Sequence, residues 1–305
     1  MVRSKPKILE VNYLYMIVAI LLISVSGSIK FKSIYTQILA TQYPVILLPM
    51  ILFIIFRKYK IREVLRLNKI TFKQAILSVL IPIFAYPVGL FFNYITIIII
   101  SLFGELQPSP LPIPENTTMF LVGLILFAVT PGICEEIMFR GVMLSAYERI
   151  GMKKAIIITG LLFGLFHFDI QNFLGPAFLG ILFAYMVYKT NSIYSSMIAH
   201  AANNIIALVL LKLAGSVQAT SAVPQTKDLL IAFIFITILA VSSGLVVYFL
   251  LKALSKSSQN KDTYEYREDL IPREKITFIH IIPIIAVGVL FVITTVMYFI
   301  FIMKT

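Results

Sequence analysis

Tryptophan is absent from this chain of 305 residues, cysteine occurs once, histidine three times, and charged residues make up only 13%. The single cysteine, Cys134, excludes an internal disulfide and any cysteine-rich metal site. Its apolar neighbours disfavour a reactive thiolate, which makes it a poor nucleophile. Scarce charge, with 59% hydrophobic residues and a mean hydropathy of +0.95, excludes a soluble globular domain. Missing too is the ten-residue alternation of an outer-membrane barrel. What remains is an all-α fold: a polytopic transmembrane helical bundle of about eight or nine membrane helices, each near the ~20 apolar residues that cross ~30 Å of hydrocarbon.

Acidic residues are also few, 14 Asp and Glu against 26 Lys and Arg, for a net charge of +12. Such an excess can mark a nucleic-acid partner. Here, however, the basic residues cluster in short connections between apolar runs, as cytoplasmic loops do. The expected surroundings are a lipid bilayer and no nucleic acid, with the N-terminus in the cytoplasm.

Residues 1–10 carry Arg3, Lys5 and Lys7 ahead of an apolar run over about 11–27. The pattern resembles the start of a signal peptide, but further spans follow, so it reads as an uncleaved first helix. A second helix is expected at 34–56. The loop 57–73 holds seven basic residues against Glu63, and Ile61, Val64, Leu65 and Leu67 give it an apolar side that could lie on anionic lipid. Residues 74–103 make a third span, bent at Pro82 and Pro87. The stretch 104–117, with four prolines and no basic residue, reads as an extended external connection. Residues 155–168 and 173–188 are short for spans, and Gly160 and Gly164 suit close helix contact. Spans at 193–213, 229–252 and 278–303 complete the count. The chain thus divides into N-terminal membrane helices with the basic loop (1–117), a core (118–213) and C-terminal membrane helices (214–305).

The core carries the anomaly. Between two apolar runs stand Glu135, Glu136 and Arg140. Three uncompensated charges at a bilayer centre would cost roughly 8–10 kcal/mol on translocon scales, so a polar cavity or partners are implied. Glu136 and Arg140, four apart, share a helix face and can pair; Glu135 is rotated about 100° away and stays free. His167 and His200 also fall in apolar segments, and His200 shares a face with Asn204. Each alone is an ordinary interhelical hydrogen bonder. Together, on three helices in a chain otherwise nearly free of intramembrane charge, they form a constellation. His200 is ~12 Å in from Ser192 and Glu135 ~25 Å in from Thr118, so the groups are expected to meet in the middle or cytoplasmic half of the bundle. His280 has no such company and is expected to be structural.

Glu135-Glu136-x-x-x-Arg140, Phe163-x-x-x-His167 and His200-x-x-x-Asn204 resemble, in order and spacing, the three motifs of the CAAX protease and bacteriocin-processing (CPBP, Abi-type) family of intramembrane endopeptidases. The resemblance covers about 118–213 and implies a membrane peptide hydrolase. By it, the catalytic residues would be Glu135 and His167, which activate water, and His200 and Asn204, which stabilise the oxyanion; Glu136 and Arg140 would support them. It also implies a bacterial plasma membrane, and as partner a membrane-associated protein or peptide precursor as substrate.

Residue chemistry leaves other readings open. Glu135, His167 and His200 could offer a carboxylate and two imidazoles to a divalent metal such as zinc. The sequence lacks His-Glu-x-x-His, and the resemblance favours a mechanism without a cofactor. Two further function classes stand beside the hydrolase: a catalytically silent membrane scaffold or bacteriocin-immunity protein of the same fold, and a proton-coupled transporter, in which buried Glu and His are common.

Overall fold

The computed structural model describes residues 5–104, 116–216, 226–258 and 273–303. Most of the proline-rich connection, the centre of the polar loop before residue 226 and most of the charged stretch 253–277 lie outside these residues. In hydrocarbon every backbone N–H and C=O needs an internal partner, so the apolar runs become helices. They are α1 (Ile8–Ser28), α2 (Ile34–Phe56), the single turn α3 (Ile61–Val64), α4 (Phe72–Ser101), α5 (Thr117–Ile150), α6 (Met152–Leu165), α7 (Leu174–Thr190), α8 (Ile193–Ser216), α9 (Thr226–Ser258) and α10 (Phe278–Ile302). Among the described residues there is no strand. Seven helices, all but α3, α6 and α7, are long and apolar enough to cross a membrane, and the chain is an integral membrane protein.

Helix starts follow local chemistry. The side chains of Ser33, Thr71 and Asn116 each accept the backbone N–H three residues on, satisfying a donor the first turn leaves unpaired. α4 continues through Pro82 and Pro87. Gly151, at φ 99°, takes a backbone conformation that a side chain would oppose, which lets α5 reverse directly into α6. The short helices α6 and α7 form a hairpin that crosses at Gly160 and Gly180. A Cβ on Gly160 would lie 2.6 Å from the Ile181 nitrogen, and one on Gly180 2.8 Å from Gly160 Cα. The close contact expected of Gly160 is thus made with Gly180.

Two apolar clusters hold the bundle. The larger joins α1, α2, α5 and α6 around Tyr15, Phe139, Phe163 and Phe166, whose rings meet largely edge to face. The smaller sits between α4, α7 and α9 and includes Leu77, Ile81, Phe183 and Leu254.

The basic loop departs from its expected form. Only one turn of it is helical, and Val64 and Leu65 enter the main core instead of facing lipid. Two features draw it inward. Gly141 leaves room for Leu65, which would come within 2.4 Å of a Cβ there. Glu148, fully buried at the end of α5, needs counter-charges and takes them from Arg66 and Lys5. The same end of the bundle carries Lys189 beside the rings of Tyr185 and Tyr188. We call this end the basic face.

Candidate active site

The two adjacent carboxylates of α5 sit between two wide turns, the second of which carries Arg140. Leu124–Val129 and Ile137–Met143 are π-helical, flanking the α-helical Thr130–Glu136, and a third π segment occupies Thr41–Leu47 of α2. Such turns rotate the side chains that follow and recur at functional sites. They bring α2 and α5 together: the Tyr35 and Phe127 rings lie 5.6 Å apart, and Gln42 reaches Glu135.

One face of α5 is closed. Glu136 Oε1 accepts from Arg140 Nη1 and from His200 Nδ1, each at 2.8 Å, and Arg140 Nη2 donates to the carbonyl of Gly180 at 3.1 Å. The guanidinium lies 4.5 Å from the Phe163 ring centre and 5.5 Å from that of Phe183. Both charges are removed from solvent, with Glu136 0% and Arg140 1% exposed. These hydrogen bonds are what offsets the desolvation of such a pair. The Gly160–Gly180 crossing matters here, since it fixes the carbonyl that receives Arg140.

The other face is open. Glu135 Oε1 accepts from Gln42 Nε2 at 2.8 Å, and Glu135 lines a cavity of about 300 Å³ with His167, Gln42, Ser26 and apolar residues of α1, α2 and the α6–α7 connection. Several waters fit such a volume at ~30 Å³ each. His167 Nδ1 donates to the Phe163 carbonyl at 2.9 Å, which leaves Nε2 as the nitrogen able to accept a proton. His200 stands between the two faces: its Nδ1 is held by Glu136, while its Nε2 lies 3.9 Å from Glu135 Oε2.

The structure therefore brings Glu135, Glu136, Arg140, His167 and His200 into one neighbourhood. Asn204 sits farther along α8, where its Nδ2 donates to the Phe127 carbonyl at 3.2 Å and its Oδ1 accepts from Asn203. Cys134 is buried. His280 is apart from the site, hydrogen-bonded to Thr277 and facing Glu274 at the start of α10. Among the described residues no three His, Cys, Asp or Glu side chains are grouped to hold a metal ion. One imidazole nitrogen each of His167 and His200 is already engaged in a hydrogen bond.

Two positioning residues escape a sequence reading. Gln42 is an amide inside an apolar run, two residues before Pro44, and its partner is 93 positions away. Asn93 of α4 receives the backbone N–H of Gly175 at 2.6 Å and donates to Asn172 at 2.8 Å, pinning the connection that carries His167. In that connection Phe168 takes a left-handed conformation at φ 49°, costing ~1–2 kcal/mol for a residue with a side chain, and its ring rests 6.2 Å from that of Phe166. Local strain of this kind gathers at functional sites.

Residues 117–206 match the family model described as type II CAAX prenyl endopeptidase Rce1-like. The match begins with α5 and ends just past Asn204, so it contains all three motifs. Among curated proteins, the uncharacterized protein YyaK of Bacillus subtilis (strain 168) is 30% identical over 136 residues, which cover 40% of this chain and 46% of YyaK. The same organism's "Putative membrane peptidase YdiL" is 28% identical over 88 residues, 28% of this chain and 36% of YdiL. The chain thus spans less than half the length of either relative. No solved structure matches it.

Proposed function

We propose that the protein is an intramembrane endopeptidase that hydrolyses a peptide bond with water activated by Glu135 and His167. The observation that carries this reading is the shared cavity: a carboxylate from α5 and an imidazole from the α6–α7 connection face one space large enough for several waters, while the neighbouring carboxylate, Glu136, is held by Arg140 and His200. The match of residues 117–206 to a membrane endopeptidase family supports the reaction class.

The chemistry follows from the groups present. Water bound between Glu135 and His167 gives up a proton to one of them as its oxygen adds to the carbonyl carbon. The oxyanion so formed needs donors. His200 supplies one through Nε2 when that nitrogen is protonated, with Nδ1 fixed on Glu136; Asn204 supplies another when its amide leaves the Phe127 carbonyl. The proton held by the base then passes to the peptide nitrogen, the C–N bond breaks, and a carboxylic acid and an amine leave. Glu136 and Arg140 touch no substrate in this scheme. They are positioning residues that hold His200.

The substrate is a membrane-associated protein or a peptide precursor in a bacterial plasma membrane. Comparative peptidomics of cells carrying the wild-type protein and Glu135→Gln tests this. Precursors should accumulate, and one set of cleaved products should vanish, with the variant. Unchanged processing with Glu135→Gln, His167→Ala and His200→Ala, each folded, would favour a scaffold on the same fold.

A further inference from the structure

A second cavity lies at the basic face and shares no residue with the one beside Glu135 and His167. We propose that it binds the phosphate headgroup of an anionic phospholipid, with an acyl chain laid along α6; the assignment is independent of the peptidase reading. The cavity has a volume of about 790 Å³, more than twice that of the other, and within the range that takes up small ligands. Arg149, Lys153, Lys154 and Arg273 line it against one carboxylate, Glu274. Such an excess of cations selects an anion.

The walls come from three parts of the chain that are tied together. α5 ends at Ile150, Gly151 reverses the backbone, α6 begins at Met152, and the segment before α10 closes the other side. The Glu274 backbone N–H donates to the Arg149 carbonyl at 3.1 Å, and the Arg149 side chain donates to the carbonyls of Pro6 and Lys5 at 2.8 and 3.1 Å. Glu274 is compensated within the protein: Arg149 Nε stands 3.6 Å from its Oε2 and His280 Nε2 3.1 Å from its Oε1. Lys153 and Lys154 differ. Both are exposed, and among the described residues their ammonium groups make no ion pair or hydrogen bond, so their charge faces the cavity uncompensated.

Position favours a lipid over a soluble anion. α5 and α10 are each long and apolar enough to cross a membrane, and four cations gathered at their ends belong among headgroups, because hydrocarbon excludes them. Basic pockets between membrane helices recognise lipid phosphates in this way. Apart from Gly151, the rest of the lining is apolar: Ile150, Met152, Ile158 and Ile276. From Lys153 the same face of α6 continues at intervals of four through Ile157 and Leu161, which are 51% and 46% exposed. Lys153 thus stands at the head of an uncovered apolar track ~12 Å long, the order in which a phospholipid presents its phosphate and its chain. A free phosphate would leave the track bare.

Native mass spectrometry of the full chain in detergent, titrated with dioleoyl phosphatidylglycerol, tests the proposal. One lipid should bind ahead of the rest, and dioleoyl phosphatidylcholine should not displace it. Lys153→Gln with Lys154→Gln should weaken that binding about 25-fold, about five-fold for each cation removed, with the melting point in detergent unchanged. Lys69→Gln with Lys73→Gln removes the same charge from exposed positions outside the cavity and should leave the binding within about two-fold. A loss of similar size in both pairs, or in neither, overturns the site, since the attraction would then be diffuse or lie elsewhere. Displacement of the lipid by equimolar inorganic phosphate overturns the lipid assignment in favour of a soluble anion.

Discussion

Glu135 and Glu136 are consecutive in sequence, yet one side chain is fixed by Arg140 and His200 in a dry interior while the other meets a single amide, Gln42, at the edge of a cavity. A helix turns about 100° per residue, which is enough to put neighbouring groups in different surroundings. The closed side shows what a buried charge needs: a counter-ion, a second donor and a carbonyl for the remaining guanidinium hydrogens. The open side offers what the proposed reaction needs of a carboxylate, which is space. Burial and access are thus divided between two identical functional groups by rotation alone.

The sharpest way to break this contrast is to neutralise each carboxylate in turn. Glu136→Gln leaves Arg140 buried without its counter-ion, a loss of ~3–5 kcal/mol, and should appear as a collapse of the monodisperse fraction and a lower melting point in detergent. Glu135→Gln should melt as the wild type does while peptide hydrolysis falls ~10²–10⁴-fold. Equal melting losses in the two variants would erase the distinction. His167→Ala should resemble Glu135→Gln, with hydrolysis lost and melting retained.

Smaller effects sharpen the comparison. Gly160→Ala forces a methyl group into the Gly180 crossing, and overpacking of this kind costs ~1–3 kcal/mol; because the Gly180 carbonyl must shift, the loss should fall on stability first and on activity second. Gln42→Leu removes one hydrogen bond from the open side. At ~0.5–1.5 kcal/mol it should lower kcat up to about ten-fold without lowering the melting point. A melting loss like that of Glu136→Gln would place Gln42 on the structural side instead.

Much of this was legible in the sequence. The helices follow from apolar runs that only helices can satisfy in lipid, and the Glu136–Arg140 pair follows from a spacing of four that persists through the π segment Ile137–Met143. The partners of Gln42 and Asn93 were not legible, because contacts 93 and 82 positions apart depend on how helices pack. The π segments were hidden too, since no residue type announces them.

The seal of aromatic rings and paired charges beneath the cavity bears on energy conservation as well as on fold. Cells store free energy as ion gradients across bilayers, and any continuous file of water through a membrane protein would discharge one. With Arg140 wedged between Phe163 and Phe183, and Glu148 held by Arg66 and Lys5, water admitted to the cavity meets packed rings and paired charges on that side, and the proposed hydrolysis would proceed without a proton leak.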